Sequence, residues 1–167
     1  ILRASATASE QFGKSFDEAF DQIVAAEKKA GRKVNIMPAD EAAKWFRRAA
    51  DKGDMMAQFN LGASYAEGAG VTKDDAEAAK WFRRAADQGM AFAQLNLGLL
   101  YAAGNGVPQD NVEAFKWLEL AFAGLPPGGP RMDVARAMTD VSANMTRDQL
   151  IEAKQRQRAW QAKPEAK

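Results

Sequence analysis

From Asp54 to Glu67 the apolar residues Phe59, Leu61 and Tyr65 return at helical rather than alternating intervals, which predicts an α-helix with Asp54 as its N-cap. The helix should stop at Gly68, since Gly68 and Gly70 suit a turn that needs positive φ. A second helix is predicted from Asp74, whose carboxylate caps free N–H groups while Glu77 reaches back in a capping box with Asp in place of Ser or Thr. That helix ends at Gly89, and the pattern begins again.

The second passage is a near-copy of the first. Ala57, Gln58, Asn60, Leu61, Gly62 and Tyr65 fall on Ala93, Gln94, Asn96, Leu97, Gly98 and Tyr101, and Asp74 and Glu77 fall on Asp110 and Glu113. Trp45, Trp81 and Trp117 stand 36 residues apart, opening KWFRRAAD at 44–51, KWFRRAAD at 80–87 and KWLELAFA at 116–123. A fixed period of this length means helical hairpins stacked on one another, each burying the face its neighbour leaves open. The fold class is therefore all-α: a short α/α solenoid of stacked helical hairpins with terminal capping helices. Gly62 and Gly98 lie inside the first helix of each unit (helix A), where glycine costs about 1 kcal/mol relative to alanine. The expected compensation is close approach of a neighbouring helix through small residues such as Ala49, Ala50, Ala85 and Ala86. The Trp and Phe of each WF or WL pair, on the second helix (helix B), should wedge between units.

The flanks depart from the repeat. Phe12, Phe16, Phe20, Ile23 and Val24 form an amphipathic stripe that looks like a degenerate first helix A. Pro126, Pro127, Gly128, Gly129 and Pro130 interrupt the register before two further helices, expected at about 131–143 and 147–162, the last opening with the capping box Thr146 to Gln149 and sealing the open end of the stack. The organisation expected is a flexible segment over 1–8 and one solenoid domain over 9–163. Within that domain are a degenerate repeat at 9–53, full repeats at 54–89 and 90–125, and a cap at 130–163.

Composition narrows the chemistry. The chain of 167 residues has neither cysteine nor histidine, which removes thiolate nucleophiles, imidazole bases and the metal sites built from them. Asp74, Asp75 and Glu77 crowd one helix start and do not face each other across a cleft, so no carboxylate pair is placed for hydrolysis. No catalytic residue, metal ligand or cofactor is expected. With 23 basic and 22 acidic residues the net charge is +1, giving no field to draw the chain onto nucleic acid, and no run is long enough to cross a bilayer. Arg47-Arg48 and Arg83-Arg84 recur on helix B, but nearby Asp51, Asp87, Asp74 and Asp75 blunt them and no aromatic platform interleaves, so a solvated face is expected. The start at Ile1 and the small-residue run from Ala4 to Ala8 suit a processed, exported chain, with the cytoplasm as the alternative.

The motif AQ-x-NLG-x-x-Y-x-x-G-x-GV followed by AxKW, present whole at 57–81 and 93–117 and by half at 41–51, resembles the Sel-one-like repeat (SLR) family, a relative of tetratricopeptide repeats. The resemblance implies a non-catalytic adaptor and, because bacterial relatives are frequently exported, a periplasmic location. It places Met56, Phe59, Asn60, Ala63 and Glu67, then Phe92, Leu95, Asn96, Leu99 and Ala103, on a concave wall of helices A that receives a protein or peptide partner. Met56 and Phe92 are large and apolar where such repeats are usually small or polar, and Asn60 and Asn96 are candidates either to hydrogen-bond a bound backbone or to tie loops together. The alternatives are that helix 9–30 fills this groove, that the chain is a small-molecule or glycan-binding module associated with an enzyme, or that it self-assembles into a homo-oligomer through the same surface.

Overall fold

The computed structural model describes residues 38–163, together with Lys29. The chain divides between Met37 and Pro38, and the fold reported is that of the second unit. The expectations for the segment 1–8 and for the helix over 9–30 lie outside the described residues, Lys29 apart.

Seven helices and no strand are present among the described residues. They are α1 (Ala39–Asp51), α2 (Met55–Glu67), α3 (Asp75–Asp87), α4 (Ala91–Ala103), α5 (Asn111–Gly124), α6 (Gly129–Ser142) and α7 (Arg147–Ala159). Helices α2 and α4 are the helices A, and α1, α3 and α5 the helices B. Each packs on the next in sequence from α1 to α6, and α7 turns back onto α5. The result is an all-α solenoid.

Helix starts follow the side-chain chemistry. Asp54 Oδ1 accepts from the Ala57 N–H at 2.7 Å. Asp74 Oδ1 accepts from Ala76 and Glu77 at 2.9 and 3.0 Å, and Asp110 Oδ1 repeats this with Val112 and Glu113 at the same distances. The reciprocal half of the capping box, however, is not made at either site. Glu77 accepts from Lys80, and Glu113 turns to Lys116, Trp117 and Arg156, because a cation one turn on offers a charged donor that a backbone N–H does not. The complete box forms at Thr146 and Gln149.

The turn between helices A and B rests on the helix B of the preceding unit. Gly70 (φ +72°) and Gly106 (φ +67°) sit so close to that helix's first turn that an added Cβ would overlap the backbone at Ala39 and Asp40, or at Asp75 and Ala76. Only glycine meets both demands, a left-handed backbone and no side chain. The loop is closed by the Asp74 and Asp110 N–H groups, which donate to the Tyr65 and Tyr101 carbonyls at 2.9 and 3.0 Å.

The core is continuous between units. Trp81 packs with Ala50, Ala57 and Leu61, joining α1, α2 and α3. Phe82 and Trp117 share a cluster with Ala86, Ala93, Leu97 and Leu120, joining α3, α4 and α5. Gly62 and Gly98 are explained differently from the sequence expectation. The close neighbour is helix B of their own unit, where an added Cβ would lie 2.8 Å from the Phe82 ring or 2.9 Å from Leu118, so a large side chain rather than the alanines fills the space. Trp45 is also a correction. Trp81 and Trp117 are 6% and 1% exposed, but Trp45 is 57% exposed. The positions that the register would set over it fall before residue 38.

The repeat ends at α6, for reasons visible in single positions. The register places Pro130 where Gln58 and Gln94 stand, and Phe122 where Ala86 stands, so the helix following α5 loses its polar tie and meets a larger side chain. Helix α6 still takes the place of a next helix A, burying Val134, Ala137 and Val141 against Phe115, Leu118 and Ala121. Helix α7 buries Ala153 alone and lies across α5, and Trp160 is its C-cap rather than part of the helix.

Candidate interaction surface

The ten residues expected on the helix-A wall are divided between surface and core. Met56 and Phe92 are 54% and 44% exposed, and Glu67 and Ala103 are also exposed. Phe59, Asn60, Ala63, Leu95, Asn96 and Leu99 are half-buried. Phe59 and Ala63 pack against the cluster of Phe82 and Trp117, with the Phe59 and Phe82 ring centroids 5.7 Å apart, and Leu95 and Leu99 pack against the cluster of Phe115 and Leu118. The exposed apolar anchors of the face are thus Met56 and Phe92, at the same register position in successive units.

Asn60 and Asn96 tie no loop, and among the described residues neither side-chain amide is hydrogen-bonded. The polar residues that join units are their neighbours. Gln58 and Gln94 are 0% and 2% exposed, and each donates Nε2 to a carbonyl at the end of the preceding helix B, Ala50 or Ala86, at 3.2 Å. Gln88 adds a bond to Gln58 Oε1 at 2.8 Å. A buried amide with no partner costs roughly 1 to 3 kcal/mol, so these bonds fix the angle between successive hairpins. The signal was present in the aligned pair Gln58 and Gln94, which burial alone separates from Asn60 and Asn96.

The arginines of helix B are solvated at Arg47 and Arg48 and half-buried at Arg83 and Arg84, but against expectation each stands over aromatic rings. Arg47 donates to the Tyr65 hydroxyl and stands over the Tyr65 and Trp81 rings at 5.7 and 5.4 Å. Arg83 repeats this with Tyr101 and Trp117, 5.4 Å from each centroid. Arg84 covers the other unit-spanning tryptophan, Trp81, at 4.6 Å, and Arg48 covers Trp45 at 5.5 Å. Aromatic rings and guanidinium groups therefore interleave along helix B, and the tyrosine 18 residues after each arginine is the sequence trace of this latch. Each cation over a ring adds on the order of 0.5 to 2 kcal/mol, depending on how far water is excluded.

The third copy breaks the latch at Glu119, which stands where Arg47 and Arg83 stand. Its Oε2 is buried without a hydrogen-bond partner, and burial raises the carboxyl above its ordinary range against the opposing pull of Lys154 and Arg158. Glu113 behaves in the opposite sense. Burial works to raise it, but hydrogen bonds from Lys116 at 2.8 Å and Arg156 at 2.7 Å, with their charges, hold it below the ordinary range. Its carboxylate also accepts from Trp117 Nε1 at 3.1 Å, whereas Trp81 Nε1 is buried without a partner.

Among the described residues no group of three or more acidic side chains is placed to hold a metal ion, and no helix is long and apolar enough to cross a membrane.

Hairpins repeating every 36 residues, locked by a buried glutamine and an arginine–tyrosine–tryptophan latch, define an α-solenoid of the kind that generally serves as a protein-interaction scaffold. The Sel1 repeat family matches residues 38–54, 56–90 and 91–124, and the chain belongs to that family. Among solved structures it is similar to a protective antigen present in uropathogenic Escherichia coli strains and displaying an SLR fold, at 36% identity and a TM-score of 0.66 over 72% of this chain. It is also similar to a Sel1 repeat protein from Oxalobacter formigenes, at 34% identity and a TM-score of 0.56 over 70% of this chain. The chain spans 25% and 44% of those two proteins' lengths. None of the curated proteins matches it.

Proposed function

We propose that the chain is a non-catalytic adaptor that holds a protein or peptide partner on its helix-A face, with Met56 and Phe92 as the apolar anchors. The observation that carries this reading is their exposure at one register position on successive helices A, while Phe59, Leu95 and Leu99 of the same face are half-buried against the core. Asn60 and Asn96, whose amides are unused within the described residues, flank the anchors and supply donors and acceptors to a bound backbone. The scaffold is already ordered, so binding costs it little conformational entropy.

The test is a comparative capture with the purified chain as bait: wild type, Met56→Glu/Phe92→Glu, and Met132→Glu. Met132 is 68% exposed on α6 and serves as a control for surface charge. The expected result is a set of proteins retained by wild type and by the Met132 variant and lost from the double variant. Equal recovery by all three baits overturns the assignment of the face.

A further inference from the structure

Helix α7 and the residues after it form a strap whose contacts are almost all with α5 and the end of α3, not with α6, the helix that precedes it in sequence. Four points hold it. Arg156 donates to Glu113 at 2.7 Å. Trp160 meets Trp117 edge to face, with centroids 6.1 Å apart. The Lys163 N–H donates to the Asp87 carbonyl at 2.7 Å. Ala162 lies against Gly89, where an added Cβ would come to 3.4 Å. In the preceding unit the outer edge of Trp81 is covered by Arg84 of its own helix. The third copy has Leu120 at that position, and Trp160 of the strap meets Trp117 there instead.

The strap is also a self-contained element. It carries its own N-terminal capping box at Thr146 and Gln149 and an internal pair between Arg156 and Glu152 at 2.6 Å, so its helix does not depend on α6. It buries one side chain completely, Ala153, with Leu150 half-buried, which makes its detachment one of the least costly openings in the fold. The connection to α6 is the tight turn Ala143–Met145, closed by the Asn144 and Met145 N–H groups on Val141 and Ser142.

We propose that this strap exchanges between copies of the chain: α7 and residues 160–163 of one molecule occupy the α5 and α3 surface of a second, and the reverse. Because the strap's receiving surface lies on α5 and α3, a second copy offers the same carboxylate, indole and carbonyl, and every strap contact is reproduced in the dimer. Only the hinge differs. Exchange of an identical element gives a dimer whose stability is set by concentration and by the hinge rather than by new contacts. The helix-A face takes no part, so the exchange and the adaptor reading stand or fall separately.

Sedimentation of the wild-type chain refolded over a range of concentrations should show a dimer that grows with concentration, and deletion of Asn144, which shortens the turn and so weakens the closed form without touching a strap contact, should raise the dimer's share. A wild type that stays monomeric at every concentration, or a shortened-turn variant with no larger share of dimer, overturns the proposal. The chain has no cysteine, so Glu113→Cys/Arg156→Cys, bridged by a short bismaleimide that spans the gap left by the two shortened side chains, reports on the partner directly. Cross-linked after refolding, it should give a covalent dimer on a denaturing gel, in proportion to concentration, whereas cross-links confined to single chains contradict the exchange. Circular dichroism of the reduced variants checks that helix content is kept.

Discussion

Truncating Trp117 to alanine tests the claim that one indole joins two units. Its side chain is 1% exposed, in one cluster with Phe82 and Ala86 of the preceding unit and Ala93 and Leu97 of its own. A buried tryptophan removes roughly 150 to 250 Å² from water, worth about 4 to 6 kcal/mol at ~25 cal/mol per Å². A compact unfolded chain already hides part of that area, which lowers the figure by roughly 10 to 40%. Loss of the Nε1 bond to Glu113 adds little, because Lys116 and Arg156 keep that carboxylate satisfied. The contacts with Arg83 and Lys116 at 5.4 and 4.3 Å go as well. The expected cost is about 3 to 5 kcal/mol, as for other large core truncations. Trp45→Ala, at a site 57% exposed, should change stability by no more than about 0.5 kcal/mol. In urea, followed by far-UV circular dichroism, the first variant should lower the midpoint by about 1.5 to 2.5 M at a slope of ~2 kcal/mol per M, and the second should leave it unmoved. Equal losses, or a Trp117 variant within about 1 kcal/mol of wild type, would refute the argument that burial between units distinguishes these tryptophans.

That contrast also marks where the sequence stops being informative. Spacing made the period, the hairpins and the capping aspartates legible, because backbone geometry imposes them at the same place in every unit. Burial was not legible, since it depends on what lies across the interface. Trp45, Trp81 and Trp117 are equivalent in the alignment, yet one is exposed because the described fold has no helix over it. Asn60 and Gln58 are equally regular, and only packing shows that Gln58 is the tie between units and Asn60 is half-exposed on the face. The aromatic partners of the arginines were missed for a related reason. Aspartates close in sequence suggested a solvated, balanced face, whereas the partners of Arg47 are Tyr65 and Trp81, 18 and 34 residues away. Contacts at that separation can be read from a sequence only after the stacking of one hairpin on the next is known.

Gly98→Ala should destabilise by about 1 kcal/mol, since the gain of ~1 kcal/mol in helix propensity is outweighed by an overpacking cost of roughly 1 to 3 kcal/mol. Its new Cβ would come to 2.9 Å from Leu118 and 3.2 Å from the Ala114 carbonyl, and Gly62→Ala, whose Cβ would come to 2.8 Å from the Phe82 ring, should lose a similar amount; thermal melts compare them. Gln94→Ala should cost about 2 kcal/mol, through a lost bond and a small cavity, whereas Asn96→Ala stays within about 0.5 kcal/mol by the same urea assay. The two half-buried carboxylates, Glu113 and Glu119, give opposite pH dependences. Glu113 lies below its unfolded value, so its contribution is present above that value and disappears as pH falls through the folded one. Glu119 lies above its unfolded value, so the folded state binds the extra proton between the two values; its contribution is fully present below the unfolded value and is lost as pH rises through the folded one. Stability measured against pH should therefore lose its acid-side fall in Glu113→Gln and gain at neutral pH in Glu119→Gln. A Glu113→Gln profile parallel to wild type on the acid side would show that the carboxylate joining α5 to the strap carries no linkage.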